Sequence, residues 1–271
     1  MCHACVTETV KRRMLSRRDL FRATAAGAAT AALGTGAAPA FAQAPSRVED
    51  LTHTLHPDFP TYLGGPGVSP TRRFNFEDHG FNMYDLSFNE HSGTHIDAPI
   101  HFSADGQTVD EVPVENLVAP LVVVDIREKA AEDDEAQMTP DDLTAWMDEN
   151  GELPARCCVA MLSGWAEHAD GPKFRNTDGD GTMRFPGVHV EAAEMLLEQA
   201  DCVGLAVDTL SLDIGSSSEF PTHYAWLPTN RWGLECVRGL ERLPARGATL
   251  MVGAPKHRGG TGGPSRVVAL V

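Results

Sequence analysis

His91-Ser92-Gly93-Thr94-His95-Ile96-Asp97-Ala98-Pro99-Ile100-His101-Phe102 places three imidazoles and a carboxylate in one short run. Imidazole nitrogen together with carboxylate oxygen is a ligand set suited to zinc and manganese-like divalent ions. His95 and Asp97 are two apart, so in extended backbone they point to one face. The spacings His91 to His95 and Asp97 to His101 are also even. A straight strand would nevertheless spread the outer pair by roughly 33 Å, too far for one coordination sphere. The run therefore has to bend. Gly93 supplies a permissive hinge, and Pro99 rules out a continuous helix. A folded loop joined to a strand is the expected form.

Working outward, Tyr84 to Asn89 alternates apolar and polar residues with period two and runs into the histidine cluster, so the motif begins at a strand end. Leu121 to Ile126, Cys158 to Leu162 and Val203 to Val207 are continuous apolar runs of the buried-strand type. Helices alternate with them. Thr139-Pro140-Asp141-Asp142 offers an N-cap, a proline at the first helical position and acids in the first turn of a helix reaching about Asn150-Gly151. Val190 to Gln199 reads as a second helix, and Thr249 to Val252 and Arg266 to Leu270 as closing strands. There is no internal repeat and no interdomain linker. The expectation is one mixed α/β domain.

Residues 1–42 read as an export signal to be set aside from the fold. Lys11-Arg12-Arg13 and Ser16-Arg17-Arg18-Asp19-Leu20-Phe21 precede an Ala/Gly-rich, mildly apolar stretch, and Ala40-Phe41-Ala42 offers a cleavage site. The pattern is of the twin-arginine type, which exports folded proteins to the periplasm or beyond. Residues 43–271 then form the domain. The chain carries a net charge of −16, and removing the basic leader leaves the remainder more acidic still. Nucleic acid and anionic membrane are therefore not expected partners. Cys2 and Cys5 fall in the leader, and Cys157, Cys158, Cys202 and Cys236 lack the spacing of a disulfide scaffold.

Other chemistries fail on context. No G-x-S-x-G elbow is present for a serine nucleophile. Asn176 to Gly181 opens like a calcium loop but has Gly187 where the bidentate acid should stand. Gly259-Gly260-Thr261-Gly262-Gly263 has no helix after it and so lacks the setting of a nucleotide loop. One further segment, His223 to Glu235, gathers Trp226, Arg231 and Trp232 between a histidine and a glutamate. It could be an ordinary packed loop, or it could wall a pocket and complete a metal shell.

The pattern H-x-G-T-H-x-D-x-P-x-H-F, met at every fixed position from His91 to Phe102, resembles the signature of the metal-dependent cyclase family, which includes bacterial kynurenine formamidases and isatin hydrolases. Asp50 to Leu55 resembles that family's opening strand. Phe185-Pro186-Gly187 with Glu191-Ala192-Ala193 resembles the start of one of its helices, and Phe220-Pro221-Thr222-His223 with Glu235 its second histidine and glutamate. The resemblance implies a swivelling β/β/α barrel-like fold assembled as a homodimer or higher oligomer such as a tetramer. It implies one or two divalent ions, zinc or manganese, held by His91, His95, Asp97, His223 and Glu235, with Asp97 bridging if there are two. His101 would be the acid/base, titrating near neutrality, and Trp226, Arg231 and Trp232 would line the substrate pocket. His189 stands where the family usually has serine, and Cys236 where formamidases commonly have asparagine, which bears on the substrate more than on the reaction.

The reaction so implied is hydrolysis of a small amide, formamide or cyclic amide by metal-activated water. Two alternatives share the ligand set: a lyase or dehydratase, and an exported metal-binding or small-molecule-binding protein without catalysis.

Overall fold

The structure, a computed structural model, describes residues 45–271; the expected leader lies outside the described residues. Pro70–Ser87 forms one compact unit, and Pro45–Ser69 with Phe88–Val271 forms the other. The strands are β1 (Val48–Asp50), β2 (Val68–Phe74), β3 (Met83–Phe88), β4 (His95–Asp97), β5 (Val118–Asp125), β6 (Gln137–Met138), β7 (Cys157–Leu162), β8 (Gly187–Val188), β9 (Cys202–Val207), β10 (Trp232–Glu235), β11 (Ala248–Gly253), β12 (Gly262–Pro264) and β13 (Arg266–Leu270). β2 and β3 pair as a separate hairpin, whose connection carries the short helix Phe76–His79.

The larger unit is organised by a nine-stranded sheet in the order β1-β13-β11-β5-β7-β9-β10-β4-β12. β5, β7, β9 and β10 run parallel. Antiparallel strands extend both ends. The expected apolar runs are these central strands, and their composition follows from burial on both faces. Cys158, Ala160 and Leu162 point into one core with Val123 and Ala206. Cys157, Val159 and Met161 alternate into a second core with Val122, Val124 and Val207.

The two cores are closed differently. The second is covered by helices, through Leu143 and Trp146 of helix Pro140–Asn150, Ala192, Ala193 and Leu196 of helix Val190–Gln199, and Trp226 of helix Pro221–Trp226. The first joins Ile96 of β4, near one end of the sheet, to Val267 and Ala269 of β13, near the other. A sheet whose far strands share a core must curl on itself, which gives the expected barrel-like α/β architecture. Trp232 belongs to this inner core. Its ring lies where a Cβ on Gly204 of the neighbouring strand would stand, so glycine there is a packing requirement.

Local signals behave as read. Thr139 and Asp142 form a reciprocal capping box, with the Thr139 N–H donating to Asp142 Oδ2 at 2.7 Å. The short parallel pair β6·β8 sets the starts of the two long helices side by side. The four cysteines of the described residues are free and buried.

Candidate metal centre

Strand register assembles the site. His95 and Asp97 lie on β4 facing the same way, and β10 runs antiparallel beside it with Glu235 opposite His95 and Gly233 opposite Asp97. Glu235 thus joins His95 on one face, while Gly233 leaves space beside the Asp97 carboxylate. The bend expected before His95 occurs at Gly93, with φ of 62°. It returns His91 to the same place, its Nδ1 2.7 Å from Asp97 Oδ1. After β4, Pro99 starts a single 3-10 turn, Pro99–Phe102, which carries His101 and stacks its ring on that of His91 at 3.8 Å.

His223 arrives from far along the chain on helix Pro221–Trp226, whose start follows Phe220 in the left-handed region. The Asp213 carboxylate accepts from the backbone N–H groups of Thr222 and His223, and it lies 2.5 Å from His223 Nδ1. That contact aims Nε2 inward, 3.2 Å from Glu235 Oε1 and 3.6 Å from Asp97 Oδ2. The sequence reading missed Asp213. Its only signal was an acid in the loop that leaves the carboxyl end of a predicted buried strand, a region where parallel sheets place binding groups.

Among the described residues, two groups of three potential ligand atoms, each within 4.8 Å of one another, share Asp97: His91 with Asp97 and His101, and His95 with Asp97 and Glu235. The donor set fits a divalent cation. Asp97, Asp213 and Glu235 are buried acids in one cluster. Asp97 Oδ2 and His95 Nε2 are buried without a hydrogen-bond partner; His95 Nε2 lies 3.3 Å from both Asp97 Oδ1 and Glu235 Oε2 but makes a well-formed bond to neither. Buried polar atoms left unpaired are costly, and a cation among them would satisfy both.

The electrostatics express the same need. Burial alone would raise the Asp97 pKa, yet contacts with His223, His91 and His95 hold it well below the usual range. Burial would lower His95, but Asp97, Cys236 and Glu235 outweigh it and raise it well above. His223 is raised likewise by Asp213, Asp97 and Glu235 against its burial. The carboxylates thus draw positive charge toward His95 and His223, the pull that a bound cation would also answer. His101 differs from expectation: burial pushes its pKa down to about 4, so it is a neutral base at pH 7 and does not titrate near neutrality.

The cluster forms one wall of a cavity of about 230 Å³, with Pro60, Tyr62, Leu63, Phe102, Leu210 and Phe220 supplying apolar surface around it. Trp226, Arg231 and Trp232, expected to line the pocket, do not line this cavity. Both tryptophans are buried in the cores, with Trp226 Nε1 donating to the Trp232 carbonyl and Trp232 Nε1 to that of Asn116. Arg231 donates to the Cys202 carbonyl and lies over the Trp226 ring. Their aromatic richness served packing.

The sequence profile of the Cyclase family matches residues 49–214, which include the whole His91 to Phe102 run. The isatin hydrolase of Roseibium aggregatum is 34% identical over 244 residues, covering 83% of this chain and 91% of that protein. This chain belongs to the Cyclase family. Among its other relatives, the kynurenine formamidase of Salinibacter ruber is 26% identical over 221 residues, covering 81% of this chain and 95% of that protein. A crystal structure of an isatin hydrolase bound to the product analogue thioisatinate matches with a TM-score of 0.77 at 31% identity, over 83% of this chain and 92% of that one. The departure at His189 also finds a reason within this Cyclase-family chain: its Nδ1 accepts from the Glu191 N–H and caps helix Val190–Gln199, a job serine also performs.

Proposed function

We propose that this chain is a divalent-metal-dependent hydrolase that opens the C–N bond of a small cyclic amide of the isatin type, with aryl formamides as the next substrate class. The observation that carries the reading is the pair of three-ligand groups sharing the buried Asp97, whose other members, His91, His95, His101 and Glu235, line an otherwise largely apolar cavity. A flat aromatic amide suits such a space, since apolar walls take the ring and a few polar groups fix the carbonyl. Relatives named for isatin and kynurenine formamide hydrolysis support the same substrate class.

In this reading His91, His95, Asp97, His223 and Glu235 hold the metal, zinc or manganese, with Asp97 shared if two ions bind. A bound ion would polarise the substrate carbonyl and lower the pKa of water. His101, kept neutral by burial, is available to accept a proton and return it to the leaving nitrogen. With a second ion, His101 becomes the third ligand of the His91 group, and elemental analysis giving two ions per chain would shift its role accordingly. Asp213 fixes the His223 ring. Phe102, 4.5 Å from His223 centroid to centroid, packs against that ring from the cavity side.

Export through a twin-arginine route is part of the proposal, supported by Arg17-Arg18, the Ala/Gly-rich stretch and Ala40-Phe41-Ala42. So is a homodimer or larger assembly, supported by Phe76, Met83, Tyr84 and Leu86 standing exposed on the β2·β3 hairpin. The deciding experiment is hydrolysis of isatin and N-formylkynurenine before and after chelation, with zinc or manganese restored. Chelator-sensitive ring opening of isatin is expected. A purified protein without metal, inert on both substrates, would end the proposal.

A further inference from the structure

The glycine run 259–263, unsuited to phosphate binding, lies against the back of His91. β12 pairs with β4 so that Gly262 is opposite Asp97 and Gly263 opposite Ile96. A Cβ on Gly262 would come within 2.8 Å of His91 Cε1, and one on Gly260 would overlap the His257 ring. Between them stands Thr261. Its Oγ1 is 2.9 Å from His91 Nε2 and 2.6 Å from Glu90 Oε2.

Proton accounting gives these contacts a direction. Glu90 also receives the Thr261 backbone N–H at 3.2 Å and lies 2.5 Å from His257 Nε2. An ionised carboxylate only accepts, so the single Thr261 hydroxyl proton goes to Glu90. The hydroxyl oxygen can then only accept from His91, which places a proton on Nε2. Nδ1 is left with its lone pair toward Asp97 Oδ1 at 2.7 Å, an approach of two acceptors that a cation or a proton between them must reconcile.

We propose that Thr261, held by Glu90, is a positioning residue that fixes His91 with Nε2 protonated and presents Nδ1 as a metal ligand, and that the flanking glycines leave room for the His91 ring to reach this hydroxyl and for the His257 ring to reach Glu90. The inference rests on the reading of His91 as an ion ligand. Ligating histidines are commonly fixed through their other ring nitrogen, and loss of such a partner typically costs about 10–100-fold in metal affinity.

The test combines two readouts on the full domain. Zinc affinity is measured by competition with a chromophoric chelator for the parent, Thr261→Val, Thr261→Ser and Glu90→Gln. Thr261→Val and Glu90→Gln should weaken zinc binding by about 10–100-fold, whereas Thr261→Ser, which keeps the hydroxyl, should stay within about threefold of the parent. Nitrogen NMR of histidine-labelled protein, with His91 assigned by its loss in His91→Gln, should show Nε2 protonated with and without zinc. Unchanged affinity in Thr261→Val and Glu90→Gln, or an unprotonated Nε2 in the parent, overturns the proposal. If Thr261→Val does not fold, Glu90→Gln supplies the affinity comparison. A parent that takes up no zinc or manganese refutes the metal reading, and the protonation of Nε2 then still decides the Thr261 contact.

Discussion

Asp97 concentrates the chemistry of the site in one side chain. It is fully buried, touches His91 through Oδ1 and faces His223 through Oδ2, and it belongs to both candidate ligand groups. Asp97→Asn keeps the volume and removes the charge. The expected outcome is near-complete loss of bound metal by elemental analysis, and a fall in kcat/KM on isatin of at least about a thousandfold, the scale of several kcal/mol of lost charge stabilisation. An Asp97→Asn protein with a full metal complement and ordinary turnover would remove Asp97 from the ligand set. Much at this scale was legible beforehand, because His91, His95, Asp97 and His101 sit in one run whose spacing and Pro99 constrain how they can meet. Asp213 and Thr261 were not. Asp213 meets His223 through a tight turn and Thr261 meets His91 from the far end of the chain, and neither contact leaves a periodic trace in the sequence.

Elements show why the register matters as much as the ligands. Glu235 reaches His95 because β10 pairs with β4 in one alignment, and a slip of one residue would turn it to the other face. β10 is held on its other side by β9, where the Trp232 ring covers Gly204. Gly204→Ala should therefore strain the inner core, costing about 1–3 kcal/mol by overpacking. For a domain of this size that lowers Tm by about 2–12 °C, measurable by calorimetry on the chelated protein. A Tm equal to the parent would mean that the ring is free to move aside. The apolar runs of β5, β7 and β9 announced buried parallel strands, and Thr139 with Asp142 announced the helix that follows. The mistaken part was Trp226, Arg231 and Trp232. Aromatic richness beside ligand-type residues suits a pocket wall or a core equally, and only the side of β10 on which Trp232 falls separates the two.

At the scale of the whole molecule, the burial of His53 and His101 couples folding to pH. His53 packs against Phe59 and Phe174, with ring centroids 5.5 and 6.2 Å away. Burial lowers its pKa from 6.5 to about 4, with Arg238 adding in the same direction. His101 is lowered to a similar value, again chiefly by burial. Between pH 6.5 and 4 the unfolded chain takes up a proton at each position that the folded chain refuses. Stability therefore rises with pH across this window: the contribution is fully present above 6.5 and is lost as pH falls toward 4. For His53 alone the difference amounts to at most about 3 kcal/mol. His53→Phe keeps an aromatic ring in the cluster and removes the titrating group. Urea unfolding of parent and variant at pH 7, 6, 5 and 4 should show both losing stability on acidification, with the variant losing less by nearly one proton's worth. Comparing slopes instead of absolute stabilities cancels His101, the carboxylates and any release of metal common to both proteins. Parallel slopes would mean that the imidazole of His53 reaches water in the folded protein and takes up its proton there.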